Sequence, residues 1–344
     1  MISLVTGATG FVGSHVARIL VSRGDTVRVL VRPSSRTDIL DGIACQRVPG
    51  DLRDAESLEN AMKGVQRVFH VAADYRLWSR DPSEIYSSNV EGTRNLLSIA
   101  RDSRVEKFIY TSTVATIAVP VADGKLPDEF TPASLEQMIG HYKRSKYIAE
   151  CEALAFAEHG LPVVVVNPTT PVGPGDWKPT PTGRIIVDFL NGKMPAFVDT
   201  GLNLVAVEDA AEGHLLAAER GRPGERYLLG CENLTLQEIL ATLARITGRR
   251  APRMRIPHGV ALAAAYVDAA VSRVLGREPH IPIEGVRIAR HRMFVNTSRA
   301  ERELEFRPGP VAAALERAVR WYQEHGYVRG SHAADSTAHA MRAA

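Results

Sequence analysis

Two periodicities alternate along the first half of the chain. Short apolar, β-branched runs occupy residues 2–5 (apolar apart from Ser3), 26–31, 68–71, 107–110 and 162–166. Longer stretches of helical period lie between them, at 11–23, 55–63, 85–101 and 141–159. Short apolar runs suit strands covered on both faces, and the longer period suits amphipathic helices. Repeated strand–helix–strand order predicts an α/β fold built on a doubly wound parallel sheet. Ligands of such sheets bind beyond the carboxyl ends of the strands, so the residues after each strand carry the candidate chemistry.

The pattern changes in the second half. Residues 167–184, "NPTTPVGPGDWKPTPTGR", hold five prolines and three glycines and read as a loop. Shorter elements follow. The expected organisation is a nucleotide-binding domain over 1–167 and a smaller substrate-binding lobe over 168–328, from which some strands can return to the main sheet. A small, polar, aperiodic tail over 329–344 reads as disordered. The apolar stretch 260–275 is interrupted by Asp268 and Arg273 and is too short and polar to span a bilayer. It reads as a partly buried amphipathic helix, with peripheral contact to a membrane or lipid as the alternative.

Composition narrows this little. The 344 residues are 45% hydrophobic and 24% charged, as in ordinary soluble proteins, and the net charge of +3 gives no argument for nucleic acid. Cys45, Cys151 and Cys231 lie far apart, without metal-ligand spacing. Reduced structural thiols, no metal and a cytoplasmic location are expected.

The chemistry begins at "TGATGFVG". Gly7, Gly10 and Gly13 stand where a strand turns into a helix. Gly7 can make the turn, Gly10 can admit a pyrophosphate, and Gly13 can let the helix pack on the strand. The backbone of Gly7, Thr9, Gly10, Phe11, Val12 and Gly13 would then cradle a dinucleotide at a helix N-terminus. The spacing is G-x-x-G-x-x-G rather than G-x-G-x-x-G. Arg32, with Arg36 nearby, stands where NAD-binding chains carry an acid, which favours the 2′-phosphate of NADP, with NAD as the alternative.

"HYKRSKYIAE" puts Tyr142 and Lys146 on one helix face, where an ammonium beside a phenol would favour phenolate. "KFIYTSTVAT" brings Thr111, Ser112 and Thr113 to a strand's carboxyl end. Neither motif is specific alone; their conjunction in chain order with the glycine loop is.

With these motifs the chain resembles the extended short-chain dehydrogenases/reductases over roughly residues 1–326, also through "GDLRD", "HVAA", "NVEGTRNLL", "NPTTPVGP" and "VEDAAEGHLLA". It is similar to the dihydroflavonol-4-reductase-like group. Through "HVAADYRLWSRDP", "KPTPTGRIIVDFLNGKMP" and "VDTGLNLVAVEDAAEGH" it is also similar to the bacterial hopanoid-associated sugar epimerases. The resemblance implies a Rossmann-like fold with a C-terminal substrate-binding lobe. It implies Tyr142 as catalytic acid/base, Lys146 on the nicotinamide ribose, and Thr113 as the catalytic hydroxyl, with Ser112 its neighbour. It places Asp51 and Leu52 at the adenine end, Ala72, Ala73 and Asn89 along the cofactor, and Pro168, Thr169 and Thr170 near the nicotinamide. It also implies a homodimer through the helices at 85–101 and 141–159.

Two departures bear on activity. Val114 and Ala115 follow Thr113 where related sugar dehydratases carry an acidic pair, and Arg32 stands where the sugar epimerases carry an acid. Both favour NADP(H)-dependent reduction of a small molecule; nucleotide-sugar epimerisation and cofactor binding without catalysis remain as alternatives. Substrate contacts are expected from the loop with Asp74, Tyr75, Arg76 and Trp78, and from Trp177 and Arg184. Arg76 can meet a phosphate or carboxylate there.

Overall fold

The computed structural model describes residues 1–76, 79, 81–117, 124–275, 277, 279 and 281–328. Trp78 and the tail from Arg329 lie outside the described residues.

The strands are, in chain order, β1 (Ile2–Thr6), β2 (Thr26–Val31), β3 (Cys45–Pro49), β4 (Arg67–His70), β5 (Lys107–Thr111), β6 (Val163–Pro168), β7 (Thr170–Val172), β8 (Ala196–Phe197), β9 (Gly201–Ala206), β10 (Arg226–Leu229), β11 (Glu232–Thr235) and β12 (Met254–Arg255). The helices are α1 (Phe11–Ser22), α2 (Ala55–Met62), α3 (Ser83–Tyr86), α4 (Gly92–Asp102), α5 (Gly140–Glu158), α6 (Pro181–Leu190), α7 (Val207–Arg220), α8 (Leu236–Thr247), α9 (His258–Val274), α10 (Ile283–Ile288), α11 (Ser298–Glu303) and α12 (Val311–Glu324).

A seven-stranded sheet runs β10-β6-β5-β4-β1-β2-β3, with every pairing parallel. Strands this apolar need cover on both faces, and the four valines Val163–Val166 of β6 are fully buried. Val16, Ala17 and Leu20 of α1 pack with Ala210, Ala211 and Ala217 of α7 on one face. Leu58, Leu96, Leu97, Ala149 and Ala153, from α2, α4 and α5, cover the other. Sheet order reverses between β1 and β4, which opens a crevice at their carboxyl ends.

The second part of the chain contributes to both bodies. β10 forms the far edge of the large sheet, in register with β6. The sheets β11-β9-β7 and β12-β8 stand apart from it. A separate core there joins Ile186, Phe189 and Leu190 of α6, Leu236, Ile239, Leu240 and Leu243 of α8, and Val311, Leu315 and Tyr322 of α12. α8 is framed by a Thr235/Glu238 capping box and by Gly248 in the left-handed region, φ 69°.

Candidate functional site

The crevice between β1 and β4 is shaped by missing side chains. Gly7 has φ +72°, and a Cβ there would stand 2.6 Å from the Ala72 amide nitrogen. A Cβ on Gly13 would meet the Gly7 carbonyl oxygen at 2.2 Å. Gly10 is different: its Cβ would touch only that oxygen, at 3.2 Å. No side chain caps α1, and its first turn holds no acid. The N–H groups of Phe11, Val12 and Gly13 therefore remain for an anion at the positive end of the helix. This uncapped cradle fits a dinucleotide diphosphate.

Beyond β2, the Arg32 side chain is exposed and has no hydrogen-bond or ion-pair partner among the described residues. Arg36 is engaged: it binds Asp38 and lies 5.1 Å from the centre of the Trp177 ring. Asp51 is held by Arg53 at 2.8 Å, which brings its carboxyl down to about 2. Leu52 packs over Gly92, where a Cβ would come within 2.7 Å of the leucine Cβ. Past β4, the Ala72 amide donates to Thr6 Oγ1 at 3.3 Å, and Ala73 follows it.

Tyr142 and Lys146 lie one turn apart on α5. Burial pushes the Tyr142 phenol up, opposed by the nearby Thr113 hydroxyl. Thr113 Oγ1 also accepts from the Ala115 amide at 3.2 Å, capping the short 3-10 turn Val114–Thr116. The buried Ser112 hydroxyl has no partner among the described residues.

The expectation that Lys146 pulls the phenol down is not met. Its ammonium donates to Tyr110 Oη at 2.7 Å and to the Thr111 carbonyl at 2.8 Å. Burial lowers the lysine itself to about 7. The cation is thus committed to β5 rather than to the tyrosine on its own helix.

Polar contacts hold these parts together. Asn89, in a π turn (Ser87–Glu91) that joins α3 to α4, donates to the Asp74 carbonyl and Ser145 Oγ, each at 2.9 Å. Its Oδ1 accepts from the Asp74 amide at 2.7 Å. With every amide atom engaged, Asn89 ties the loop after β4 to α5. His70 lies between Thr6 Oγ1 (2.7 Å) and Thr93 Oγ1 (2.9 Å), and Thr93 in turn donates to the Asn89 carbonyl. Burial lowers His70 to about 3, so its ring is neutral. His214 Nδ1 donates to the Ala210 carbonyl at 2.6 Å, which leaves Nε2 to accept from the Thr111 hydroxyl at 2.9 Å. Thr169 is buried and its hydroxyl donates to the Leu229 carbonyl between Pro168 and Thr170.

The substrate-side residues divide. Tyr75 is 39% exposed, and burial with the neighbouring Asp176, Asp74 and Tyr142 pushes its phenol up to about 12. It therefore lies near Tyr142. Arg76 does not stand free for a substrate anion: Asp74 and Glu84 both bind its guanidinium. The Trp177 ring is taken up by Trp321 at 4.9 Å and His325 at 4.8 Å, besides Arg36. Arg184 is exposed on α6. No group of three or more His, Cys, Asp or Glu among the described residues could hold a metal ion.

The sequence reasoning missed Tyr110. A tyrosine inside a buried strand needs a partner for its hydroxyl, and that requirement was the available signal.

Residues 3–230 match the NAD dependent epimerase/dehydratase family. A putative dihydroflavonol 4-reductase of Synechocystis is 48% identical over 329 residues, covering 94% of this chain and 95% of that protein. Sterol demethylase protein B of Methylococcus capsulatus is 36% identical over 330 residues, covering 95% of this chain and 100% of that protein. The crystal structure of gox2253 superposes with a TM-score of 0.85 at 46% identity, over 95% of this chain and 99% of that one.

Proposed function

The chain belongs to the NAD dependent epimerase/dehydratase family, and from that premise we propose that it reduces a carbonyl group of a small molecule at the expense of NADPH. The carrying observation is the meeting of Thr113 and Tyr142 beyond the carboxyl end of β5, with Lys146 buried one turn along α5. When bound, the nicotinamide supplies hydride to the carbonyl carbon. The remaining work falls to this chain. The Thr113 hydroxyl orients the substrate oxygen, and Tyr142 gives that oxygen its proton. Burial keeps the phenol protonated at neutral pH, which suits a group that donates in the reductive direction. Lys146, buried one turn along α5, is held on β5 by the Tyr110 hydroxyl and the Thr111 carbonyl and so positions the helix that carries Tyr142. Arg32, without a hydrogen-bond or ion-pair partner among the described residues, is the cation for the 2′-phosphate.

Tyr75 offers an aromatic wall near Tyr142, which suits a ketone or aldehyde on an apolar body. The names of the dihydroflavonol reductase and of the sterol demethylase protein agree with such a substrate. A homodimer through α4 and α5 is part of the reading: Cys151, Ala155 and His159 lie exposed along α5. Light scattering that shows a monomer would remove that part. Among the described residues no helix is long and apolar enough to cross a membrane.

The test is NADPH oxidation across ketone, aldehyde and sugar panels, followed by Tyr142→Phe. General acid catalysis contributes about 10²–10⁴-fold, so the variant should lose turnover by that order while still binding NADPH. Near-normal turnover in the variant would overturn the assignment.

A further inference from the structure

Helix α9 presents an apolar stripe that none of the described residues covers. Val260, Ala263, Val267, Ala270, Val271 and Val274 recur at helical spacing on one side, and all are exposed. Val267 is 65% and Val274 86% exposed. The opposite side carries Ala261, Ala265 and Ser272, which are buried. At 1.5 Å per residue the stripe is about 20 Å long. Leu275 extends it at one end, and the exposed Met254 stands before the other. A lone exposed valine is ordinary; a continuous row is an interaction surface.

Charge identifies the partner. Residues 249–292 hold nine arginines against three carboxylates, while the whole chain carries only +3; of the nine, Arg255 and Arg292 pair with Asp199 and Arg277 with Asp268. Arg249, Arg250, Arg253 and Arg273 are exposed and form no ion pair with a described residue. A second copy stacked on this stripe across a two-fold axis would bring arginine-rich surface against arginine-rich surface. A planar anionic surface with an apolar interior matches both features.

We propose that the exposed face of α9 docks on an anionic lipid bilayer, its valines in the acyl boundary and Arg273 of the same helix, with the exposed arginines that precede it in the chain, among the headgroups. A cavity of about 700 Å³ opens on the flank of the same helix. Its walls include Ala269, Ser272 and Arg273 of α9, Ile85, and His141, the neighbour of Tyr142. Docking would therefore set this opening beside the lipid, where an amphiphile could leave the bilayer. The docking itself does not depend on the chemistry proposed above, because vesicle binding is read without turnover.

The experiment is flotation of the full chain with phosphatidylcholine vesicles with and without phosphatidylglycerol, at low and high salt. Binding should require phosphatidylglycerol and weaken with salt. The triple variant Val267→Glu, Val271→Glu, Val274→Glu should abolish it. Reversing Arg249, Arg250 and Arg253 to Glu should lower partitioning at least about tenfold. All six positions are exposed, and an unchanged melting temperature will confirm that each variant folds. Absence of wild-type binding to the anionic vesicles, or unchanged binding of the valine variant, would overturn the proposal. So would a valine variant that merely turns a larger assembly into a smaller one, since the stripe would then bind a second copy.

Discussion

The Lys146 ammonium donates to the Tyr110 hydroxyl at 2.7 Å and lies 4.4 Å from the centre of the same ring. The two residues come from different elements, α5 and β5. Their bond pins the helix that carries Tyr142 to the strand that delivers Thr113. It also fixes the lysine before any cofactor arrives. Tyr110 is fully buried, so this acceptor has no water to replace it.

Tyr110→Phe should therefore act through Lys146. Removing one partner of a buried charged hydrogen bond costs about 1–3 kcal/mol. In a Lys146→Met background the same substitution should cost clearly less, because the ammonium it serves is gone. Denaturant titration of the four proteins in this cycle measures the coupling. Equal costs in both backgrounds would mean that the hydroxyl only fills space.

Burial of Lys146 has a consequence for stability against pH. Its folded value is about 7, below the ordinary 10.5. Between these values the unfolded chain holds the proton and the folded protein has released it. Stability then rises with pH across that window, by about 1.4 kcal/mol per unit from this group. Below pH 7 both states are protonated and the burial penalty is constant. Lys146→Met should show a flatter dependence of unfolding free energy on pH than the parent between neutral and mildly alkaline conditions. Parallel curves for parent and variant would count against the depressed lysine.

The local features were legible in the sequence and the long-range ones were not. The glycine loop, the Tyr142/Lys146 pair and the hydroxyls after β5 each need only neighbouring residues, and the periodic helices fell within about a turn of their observed ends. β3 escaped because Gln46 and Arg47 break the apolar pattern on an exposed edge strand. β10 escaped because four residues far along the chain carry no sign that they return to β6. The commitment of Lys146 depends on where α5 settles over β5, which spacing within the helix does not determine. Arg76 looked like a free cation because its partner Glu84 lies across a loop, and Trp177 like a free ring because Trp321 lies far along the chain.

Gly13→Ala should separate packing from ligand contact. The new methyl would stand 2.2 Å from the Gly7 carbonyl oxygen, so α1 must move off the glycine turn. Overpacking of this kind costs about 1–3 kcal/mol. The displaced helix end would also lose its aim at the diphosphate. The expected outcome is a lower melting temperature together with weakened binding of both NADH and NADPH. Full cofactor affinity in the variant would show that the helix end is not the diphosphate site.

Arg32 should instead separate the two cofactors. Its guanidinium follows β2, while the neighbouring Arg36 is held by Asp38 and Trp177. Of this pair only Arg32 forms no hydrogen bond or ion pair with a described residue, and the acid that would recognise a ribose hydroxyl is absent from the strand end. Asp51, the nearby carboxylate, is bound by Arg53. A charge-assisted bond to the 2′-phosphate contributes about 1.5–3 kcal/mol, or roughly 10- to 150-fold in affinity. Arg32→Ala should weaken NADPH by that factor and leave NADH almost unchanged, since NADH has no phosphate to lose. Arg32→Asp should go further and invert the preference by repelling the phosphate and accepting from the free ribose hydroxyls. Titration of both cofactors against the three proteins measures this. An equal loss for NADH and NADPH in Arg32→Ala would place the arginine against a part common to both cofactors and remove the argument for NADPH.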